Sequence, residues 1–350
     1  MNDQPAAAKI PVTVLTGFLG SGKTTLLRAV LASVGMADTA VIINEAGEMG
    51  LDHLLLETVD EQVLEMPNGC LCCVRRLDIV TTIRDLIERR DRGTIRSFSR
   101  IVIETSGLAD PAPILYTLAV DPMLGHVLTF TAVVTLVDSV AGQGTLQRHP
   151  EAVSQVAVAD RILITKTDLS PPTRKLADLL DGLNGWAERI ELPGPPEPAE
   201  LLFAKPPAVA NRRRFIAQTV APQAAHTAAI RTISLILSEA PTRFAFARAL
   251  GGLAAERGVD LLRVKGLLGF ADRPDRVAVI HAVQHTIYRP EWLADWPDAD
   301  VRSRLVFVTR DISAEDVFDR FAAFGPTPWT AAEVTRRGLT AQETPPCSIS

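Results

Sequence analysis

Residues 17–24 read Gly17-Phe-Leu-Gly-Ser-Gly-Lys-Thr24, which matches the pattern G-x-x-x-x-G-K-[ST] at every fixed position. The match follows the apolar run 10–15, which predicts a buried strand, and it leads into a helical pattern over 24–31. A strand, a glycine-rich loop and a helix in this order are the context of a phosphate-binding loop, or P-loop. A glycine-rich turn that binds nothing is the alternative, and a complete match in this context argues against it.

The chemistry of this loop comes from its glycines, its lysine and its threonine. Glycines let backbone N–H groups converge on an anion, and the positive end of the following helix adds to the attraction. Lys23 is expected to reach the terminal phosphates as a cation, and the Thr24 hydroxyl is expected to ligate Mg²⁺. The loop therefore predicts a site for a nucleotide with Mg²⁺.

Composition and charge narrow the class of protein. The chain has 350 residues, of which 47% are apolar and 22% charged, so it is long enough for two globular domains. Its net charge of −5 argues against a nucleic-acid or anionic-membrane surface. The sequence contains no run of about 18 apolar residues, so no membrane span is predicted. Residues 1–9 lack the apolar core of a secretory signal. A cytoplasmic protein is expected.

Short apolar runs alternate with helical patterns through the first half of the chain. Such near-continuous apolar runs are typical of parallel strands that are covered on both faces. The runs lie at 10–15, 39–43, 100–104, 131–137 and 161–165. They predict an α/β fold of the P-loop NTPase class, with a doubly wound, mostly parallel sheet that binds ligands at the carboxyl ends of its strands.

The second half predicts a smaller unit. We divide the chain into a P-loop GTPase domain at 1–190, a proline-rich linker at 191–226, an α+β domain at 227–337 and a disordered tail at 338–350. His281 and His285 fall in the apolar pattern 276–287, which predicts a strand. Four residues along a strand span about 13 Å, too far for one metal ion.

Acidic residues after two predicted strands complete the nucleotide site. The run 100–104 ends in Glu104, which is expected to hold Mg²⁺ through a water, and Gly107 follows with an N–H that would sense a γ-phosphate. Thr165-Lys166-Thr-Asp168 resembles the guanine-binding motif N-K-x-D. GTP is the favoured nucleotide, because the Asp carboxylate of that motif accepts hydrogen bonds that guanine offers and adenine does not. A surface glutamate and an exposed Lys–Asp pair are the alternatives.

Three of the four cysteines lie within residues 70–73, in the motif C-x-C-C. Clustered thiolates of Cys70, Cys72 and Cys73 suit a soft metal ion, and zinc is favoured over cobalt or iron. Zinc takes four ligands, so Glu48, His53, water or a client protein could fill the fourth place. Three buried thiols packed as small apolar groups, or a redox cluster, are the alternatives.

The chain resembles the CobW-type GTP-binding proteins, which are metallochaperone-like P-loop GTPases. The resemblance lies in the segments 17–25, 44–52, 68–73, 104–111 and 263–266. Three features depart from the family: Ala46 stands where Phe is frequent, Thr165 stands where Asn is usual, and the histidine-rich loop of some members is missing. The resemblance implies GTP, Mg²⁺ and Zn²⁺ as cofactors and a metalloprotein client as partner.

The predicted function is therefore nucleotide-dependent delivery of zinc, with 44–52 as the first switch and the smaller domain recognising a client or covering the site. Lys23, Thr24 and Glu104 are the expected catalytic residues. The expected nucleotide-binding residues are Gly17, Gly20, Ser21, Gly22, Lys23, Thr24, Thr25, Gly107, Lys166 and Asp168. Metal ligands are expected at Cys70, Cys72, Cys73 and Glu48, with Thr24 and Glu104 on Mg²⁺.

Two other functions stay open, a P-loop ATPase or kinase and a regulatory module that binds nucleotide and metal without turnover. Because no glutamine lies near Gly107 in the sequence to position a water, slow intrinsic hydrolysis is expected. A homo-oligomer is left open. The resemblance covers roles in cobalamin biosynthesis, nitrile hydratase activation and zinc homeostasis, and the sequence does not choose among them.

Overall fold

A computed structural model gives the fold. It describes residues 9–44, 63–65, 71–74, 79–185, 187–193, 198–204, 230–297 and 300–328. The predicted switch beyond Asn44, the first motif cysteine Cys70, the candidate ligands Glu48 and His53 and the predicted tail lie outside these residues. Of Cys72 and Cys73 only the backbone is described.

The N-terminal half of the described chain forms one eight-stranded sheet in the order β3-β4-β2-β5-β1-β6-β7-β8. All neighbouring strands are parallel except β3 and β4. The P-loop strand β1 lies between β5 and β6, which confirms the predicted mostly parallel sheet. The strands are β1 Ile10–Gly17, β2 Thr39–Asn44, β3 Val63–Glu65, β4 Leu71–Val74, β5 Arg100–Thr105, β6 Leu128–Asp138, β7 Arg161–Thr165 and β8 Glu188–Glu191.

Helices cover both faces of this sheet. Val12 and Val14 of β1 pack into one apolar cluster, whereas Leu15 packs into another together with Leu26 and Leu27. This division follows from the alternation of side chains along a strand, and it explains why the strand is apolar throughout. The helices are α1 Lys23–Ala32, α2 Ile79–Asp91, α3 Ala112–Val120, α4 Pro122–Val127, α5 Gly142–Arg148, α6 Pro150–Ala157, α7 Arg174–Asn184 and α8 Pro198–Phe203.

Helix α8 lies inside the segment for which the sequence predicts a linker. Its Leu201 and Leu202 are buried in the same cluster as Leu15, and Thr13 Oγ1 of β1 donates to the Leu202 carbonyl at 2.7 Å. The predicted linker segment therefore contains a short helix that packs on the sheet through Leu201 and Leu202. A helix of six residues is too short to show the helical period on which the sequence prediction depends. The domain boundaries themselves stay predictions.

The C-terminal part of the described chain forms a second, antiparallel sheet of seven strands in the order β12-β11-β10-β14-β9-β15, with β13 paired to β11. Two helices pack on it, which confirms the predicted smaller α+β unit. The strands are β9 Ile230–Leu237, β10 Arg263–Phe270, β11 Arg273–Val283, β12 Thr286–Ile287, β13 Glu291–Leu293, β14 Ser303–Arg310 and β15 Pro326–Pro328, and the helices are α9 Arg243–Arg257 and α10 Ala314–Arg320.

Side-chain caps set where these two helices begin. Thr242 Oγ1 accepts from the Ala245 N–H at 3.2 Å at the start of α9. Ser313 and Asp316 form a capping box at the start of α10. Each cap satisfies N–H groups that have no partner within the helix.

The prediction of a single strand over 276–287 is wrong at its C-terminal end. The backbone turns at Gln284, which has φ +50°, and β12 runs back against β11. His285 lies in this turn, where its Nδ1 is 2.7 Å from the Ala254 carbonyl oxygen, and it does not share a strand face with His281. The turn has neither glycine nor asparagine at the positive φ, so its sequence signal is weak.

A buried ion pair joins the two units. Asp160, just before β7, accepts from Arg263 Nη2 of β10 at 2.6 Å, and Lys265 Nζ lies 3.3 Å from the same oxygen. The other carboxylate oxygen accepts from the Val133 N–H at 2.9 Å. Burial raises the pKa of Asp160, but the charges of Arg263 and Lys265 outweigh it and hold that pKa well below its usual range. Burial and the charge of Arg263 lower the pKa of Lys265 to about 8.

No helix in the described part of the chain is long and apolar enough to span a bilayer.

Candidate nucleotide site and metal motif

The P-loop connects the end of β1 to the start of α1. Gly17, Gly20 and Gly22 have φ of +143°, +73° and +99°, values that side-chain-bearing residues rarely adopt. A Cβ on Gly17 would also lie 2.6 Å from the Leu136 carbonyl oxygen of β6. The loop therefore needs its glycines for backbone conformation and for close packing against the neighbouring strand.

Lys23 is held beneath this loop. Its Nζ donates to the Gly17 carbonyl at 2.7 Å and lies 3.3 Å from that of Phe18, and only 9% of the residue is exposed. Thr24 and Thr25 are exposed on the first turn of α1, whereas Ser21 is buried in the loop. The ammonium group thus lies against the first two residues of the loop, and Thr24 and Thr25 are accessible from solvent.

Glu104 lies one strand away from the P-loop strand. It is 3% exposed near the end of β5, and its backbone is in register with Leu15 of β1. The next residue, Thr105, donates its hydroxyl to Thr16 Oγ1 at 2.7 Å, which fixes the two strand ends to each other. The carboxylate is therefore placed at the carboxyl edge of the sheet beside the P-loop.

Gly107 packs directly on the P-loop. A Cβ at Gly107 would lie 2.6 Å from Leu19 Cδ2 and 2.9 Å from the Leu19 nitrogen. Only a glycine permits this approach without displacement of one of the two loops. The arrangement brings together residues that the sequence separates by 88 positions.

A residue that the sequence analysis missed holds the loop after β5. Gln155 of α6 donates Nε2 to the carbonyls of Gly107 and Ala109, each at 3.1 Å, and its side chain is buried. A glutamine therefore does lie near Gly107, but its amide binds the backbone. The signal available in the sequence was weak: one glutamine between the apolar residues Val153 and Val156.

Thr165 ties the predicted base-binding motif to the P-loop. At the end of β7 its Oγ1 donates to the Ser21 carbonyl at 2.7 Å, and a Cβ on Gly22 would lie 3.6 Å from Thr165 Cγ2. The threonine thus occupies the position of the usual asparagine with a hydrogen bond to the phosphate loop. At the position where the sequence departs from N-K-x-D, the side chain therefore joins the predicted base-binding motif to the P-loop.

Lys166 and Asp168 follow on the same loop. Lys166 has φ +59° and pairs with Asp138 Oδ2 of β6 at 2.6 Å. Burial raises the pKa of Asp138, but hydrogen bonds from Lys166, Ala141 N–H and Val140 N–H outweigh it, and that pKa lies below its usual range. Asp168 is exposed, so its carboxylate is accessible to a ligand.

A small cavity lies between the P-loop and α6. Its volume is about 30 Å³, and its lining includes Phe18, Ser21, Thr135 and Gln155. A water molecule needs only about 10–15 Å³ of such space, so the cavity is large enough for water but not for a nucleotide base.

The cysteine motif enters the same sheet as β4. The backbones of Cys72 and Cys73 are in register with Val41 and Ile42 of β2. Strand β2 in turn pairs with β5, which carries Glu104. Within the described residues, from which the side chains of the motif are missing, no group of three His, Cys, Asp or Glu residues could hold a metal ion.

Strand β1, the glycine loop with its buried lysine and the parallel sheet define a P-loop nucleotide-binding protein. Residues 11–191 match the family described as CobW/HypB/UreG, nucleotide-binding domain, and residues 230–325 match the cobalamin synthesis protein CobW C-terminal domain. The chain therefore belongs to the CobW family, which confirms the resemblance seen in its motifs.

A curated relative and a solved structure match about nine-tenths of the chain, and a further relative matches less than half of it. The zinc chaperone YjiA of Escherichia coli (strain K12) is 34% identical over 319 residues, which is 89% of this chain and 98% of that protein. The crystal structure of Zn(II)-bound YjiA GTPase from E. coli matches with a TM-score of 0.73 at 32% identity, over 91% of this chain and 99% of that one. The zinc chaperone CobW of Pseudomonas aeruginosa is 42% identical over 158 residues, which is 42% of this chain and 40% of that protein.

Proposed function

We propose that this chain hydrolyses GTP and acts as a metallochaperone, which binds Zn²⁺ through C-x-C-C and transfers it to a metalloprotein client in a nucleotide-dependent way. The observation that carries the proposal is the arrangement of one sheet. The P-loop follows β1, Glu104 lies on the neighbouring β5, and the cysteine strand β4 lies two strands beyond β5. The names of its relatives, zinc chaperone and GTPase, support the same function.

The residues around the P-loop fit a nucleotide with Mg²⁺. Thr24, exposed on the first turn of α1, would ligate Mg²⁺, and the Glu104 carboxylate would hold it through a water. Lys23 would exchange its two loop carbonyls for phosphate oxygens. When bound, Mg²⁺ neutralises charge that develops on the phosphates during transfer. The chain's own contribution is to position the phosphates and to stabilise their charge.

The loop after β7 fits guanine as the base. The exposed carboxylate of Asp168 can accept from guanine N1–H and from the exocyclic amine, and the Lys166 stem can pack along the base plane. Asp138 fixes the ammonium end of that lysine at 2.6 Å. Adenine offers no comparable pair of donors, so we infer that GTP is preferred over ATP.

The cysteines fit zinc as cargo. Three thiolates leave one coordination place that Glu48, His53, water or a client could fill, and a replaceable ligand suits a protein that hands its metal on. Such thiolates require a reducing compartment, and we infer that the protein acts in the cytoplasm.

One experiment tests which nucleotide the protein binds. Labelled GTP bound to the full chain is displaced by unlabelled GTP or ATP, in the wild type and in Asp168→Asn. We expect ATP to compete poorly and Asp168→Asn to bind GTP about tenfold more weakly, since a charged hydrogen bond is lost. Asp178→Asn, an exposed acid on α7, is the matched control. Equal competition by ATP would favour a P-loop ATPase or kinase.

A second experiment tests the coupling to metal. Zinc affinity is measured with a GTP analogue, with GDP and without nucleotide, in the wild type, in Cys72→Ser and in the control Cys347→Ser. We expect affinities in the wild type to differ about tenfold between nucleotide states and Cys72→Ser to lose zinc. The same affinity in all three states would refute nucleotide-dependent delivery, and zinc and nucleotide binding without turnover would favour a regulatory module.

A further inference from the structure

The loop at residues 107–110, which joins β5 to α3, is held by two glutamine side chains from different parts of the chain. One is Gln155 of α6, whose Nε2 donates to the carbonyls of Gly107 and Ala109 at 3.1 Å each. Both partners are acceptors, so the amide nitrogen must face them. The loop backbone is thereby joined to a buried helix.

Helix α6 is itself firmly placed. Thr135 Oγ1 of β6 donates to the Gln155 carbonyl at 2.8 Å. Asn184 of α7 donates Nδ2 to the carbonyls of Val156, Ala157 and Ala159 at 2.7 to 3.1 Å. A side chain on a helix held in this way has little freedom, so its two hydrogen bonds define one position for the loop.

The second glutamine comes from the C-terminal unit. Gln284, in the turn between β11 and β12, donates Nε2 to Asp110 Oδ2 at 3.4 Å. Asp110 Oδ1 accepts from the Ala112 N–H at 3.0 Å and so joins the loop to the start of α3. Beside it, the His285 ring packs edge-on against Tyr116 of α3 with 6.3 Å between ring centres.

The C-terminal unit also contacts the helix that carries Gln155. Arg310 Nη2 of β14 donates to Ser154 Oγ at 2.8 Å, one residue away on α6. The C-terminal unit is therefore connected to the 107–110 loop directly through Gln284 and by one step through α6.

We propose that Gln155 and Gln284 are positioning residues for the 107–110 loop, and that through them the C-terminal unit sets how strongly the site prefers a nucleoside triphosphate over a diphosphate. The inference rests on the proposed function and on the expectation from the sequence that the Gly107 N–H meets the γ-phosphate. In the position that these amides hold, through Gly107 and Ala109 for Gln155 and through Asp110 for Gln284, Gly107 packs on Leu19 of the P-loop. A diphosphate lacks the group that meets this loop, so its affinity does not depend on where the loop lies.

The test compares the same substitution at three glutamines of the full chain: Gln155→Met, Gln284→Met and Gln143→Met. Methionine keeps the length of the side chain and removes the amide. Gln143 lies on α5, where its Oε1 accepts from Thr173 Oγ1 at 3.2 Å, and it serves as the matched control. Dissociation constants for a non-hydrolysable GTP analogue and for GDP are measured by calorimetry, together with Tm.

We expect Gln155→Met to lower the ratio of GTP-analogue to GDP affinity about tenfold, and Gln284→Met about threefold, with GDP affinity unchanged. Gln143→Met should leave the ratio at its wild-type value. If Gln155→Met does not fold, Gln284→Met decides the question alone, since its side chain is only half-buried.

Two results would overturn the inference. One is a wild-type ratio in the Gln155 and Gln284 variants, and the other is an equal loss of affinity for both nucleotides, which a merely structural role would give. A wild-type chain that binds no GTP would instead refute the proposed function, so the two failures are distinguishable.

Discussion

Replacement of Asp160 by asparagine should strongly destabilise the protein. The carboxylate lies 2.6 Å from Arg263 Nη2 and 3.3 Å from Lys265 Nζ, across the contact between the two units. Asparagine can still accept from the Val133 N–H, which now bonds to the carboxylate at 2.9 Å. The substitution therefore removes the charge and keeps most of the shape.

The expected cost comes from the charges left behind. Without the carboxylate, one guanidinium and one ammonium face each other at a buried site with no negative charge from Asp160. Removal of one partner of a buried ion pair costs about 3–5 kcal/mol, a large part of the roughly 5–15 kcal/mol that stabilises an ordinary domain. Asp160→Asn combined with Lys265→Met should recover part of this loss, because it removes one of the two uncompensated charges.

The pH dependence has a definite sign. The ion pair holds the pKa of Asp160 below its unfolded value of about 3.9, so its contribution to stability is complete above that pH and is lost as the pH falls below it. The difference in unfolding free energy between wild type and Asp160→Asn should accordingly be at its full value near pH 5 and shrink below about pH 4.

The assay is urea unfolding followed by the fluorescence of the four tryptophans of the chain and by circular dichroism. Glu256→Gln is the control, because its ion pair with Arg320 is exposed and should contribute little. A separate early transition of one unit in Asp160→Asn would show that the contact has opened. If Asp160→Asn were no less stable than Glu256→Gln, the ion pair would not stabilise the contact and the reasoning would be wrong.

Three further substitutions have defined outcomes. Lys265→Met should raise the unfolding free energy by up to about 3 kcal/mol at pH 7, because burial and the neighbouring guanidinium lower the pKa of this lysine to about 8. The gain in unfolding free energy should vanish near pH 10.5, and urea unfolding at about pH 7, 9 and 10.5 tests this. Gly107→Ala would place a methyl group 2.6 Å from Leu19 Cδ2, so calorimetry should show GTP-analogue affinity at least about tenfold lower, and unchanged affinity would contradict the close packing. Thr165→Val removes the donor to the Ser21 carbonyl at 2.7 Å and should cost about 1–3 kcal/mol in urea unfolding, whereas wild-type stability would mean that the hydrogen bond contributes nothing.

The sheet of the nucleotide-binding unit could be predicted because its strands are buried on both faces. The predicted run 161–165 coincides with β7, and the predicted run 39–43 lies within β2. A strand covered on both faces shows in the sequence as an unbroken apolar run, and the glycine loop fixes which strand carries the phosphate site. Here local sequence and tertiary environment point to the same element.

Contacts between distant parts of the chain could not be predicted in this way. Gln155 lies 48 residues from Gly107, and a single glutamine in a short apolar helix carries no periodic signal of its partner. The turn at Gln284 and the six-residue α8 could not be predicted for related reasons. Both depend on tertiary packing that overrides a weak local preference. The sequence alone thus located the P-loop, but it did not reveal the glutamine side chains that hold the neighbouring 107–110 loop.

The register of the sheet explains why metal and nucleotide could be coupled over a short distance. Val74, next to the last motif cysteine, pairs with Ile43 of β2, which pairs with Glu104 of β5. Adjacent strands are about 4.8 Å apart, so this row spans only about 10 Å. The predicted switch begins at Asn44, on the middle strand of the three.

A change at the end of β2 would therefore act at once on the cysteine strand and on Glu104, the carboxylate that we propose holds Mg²⁺. The C-terminal unit contacts the nucleotide-binding unit on the other side of β1, where Arg310 binds Ser154 of α6. Helix α6 leads into β7, which lies two strands beyond β1. Both routes meet at the 107–110 loop, because it continues from β5 and carries the carbonyls that Gln155 binds. If that is so, Gln155→Met should weaken nucleotide control of zinc affinity as well as nucleotide selectivity, and unchanged control of zinc would place the metal coupling in β2 alone.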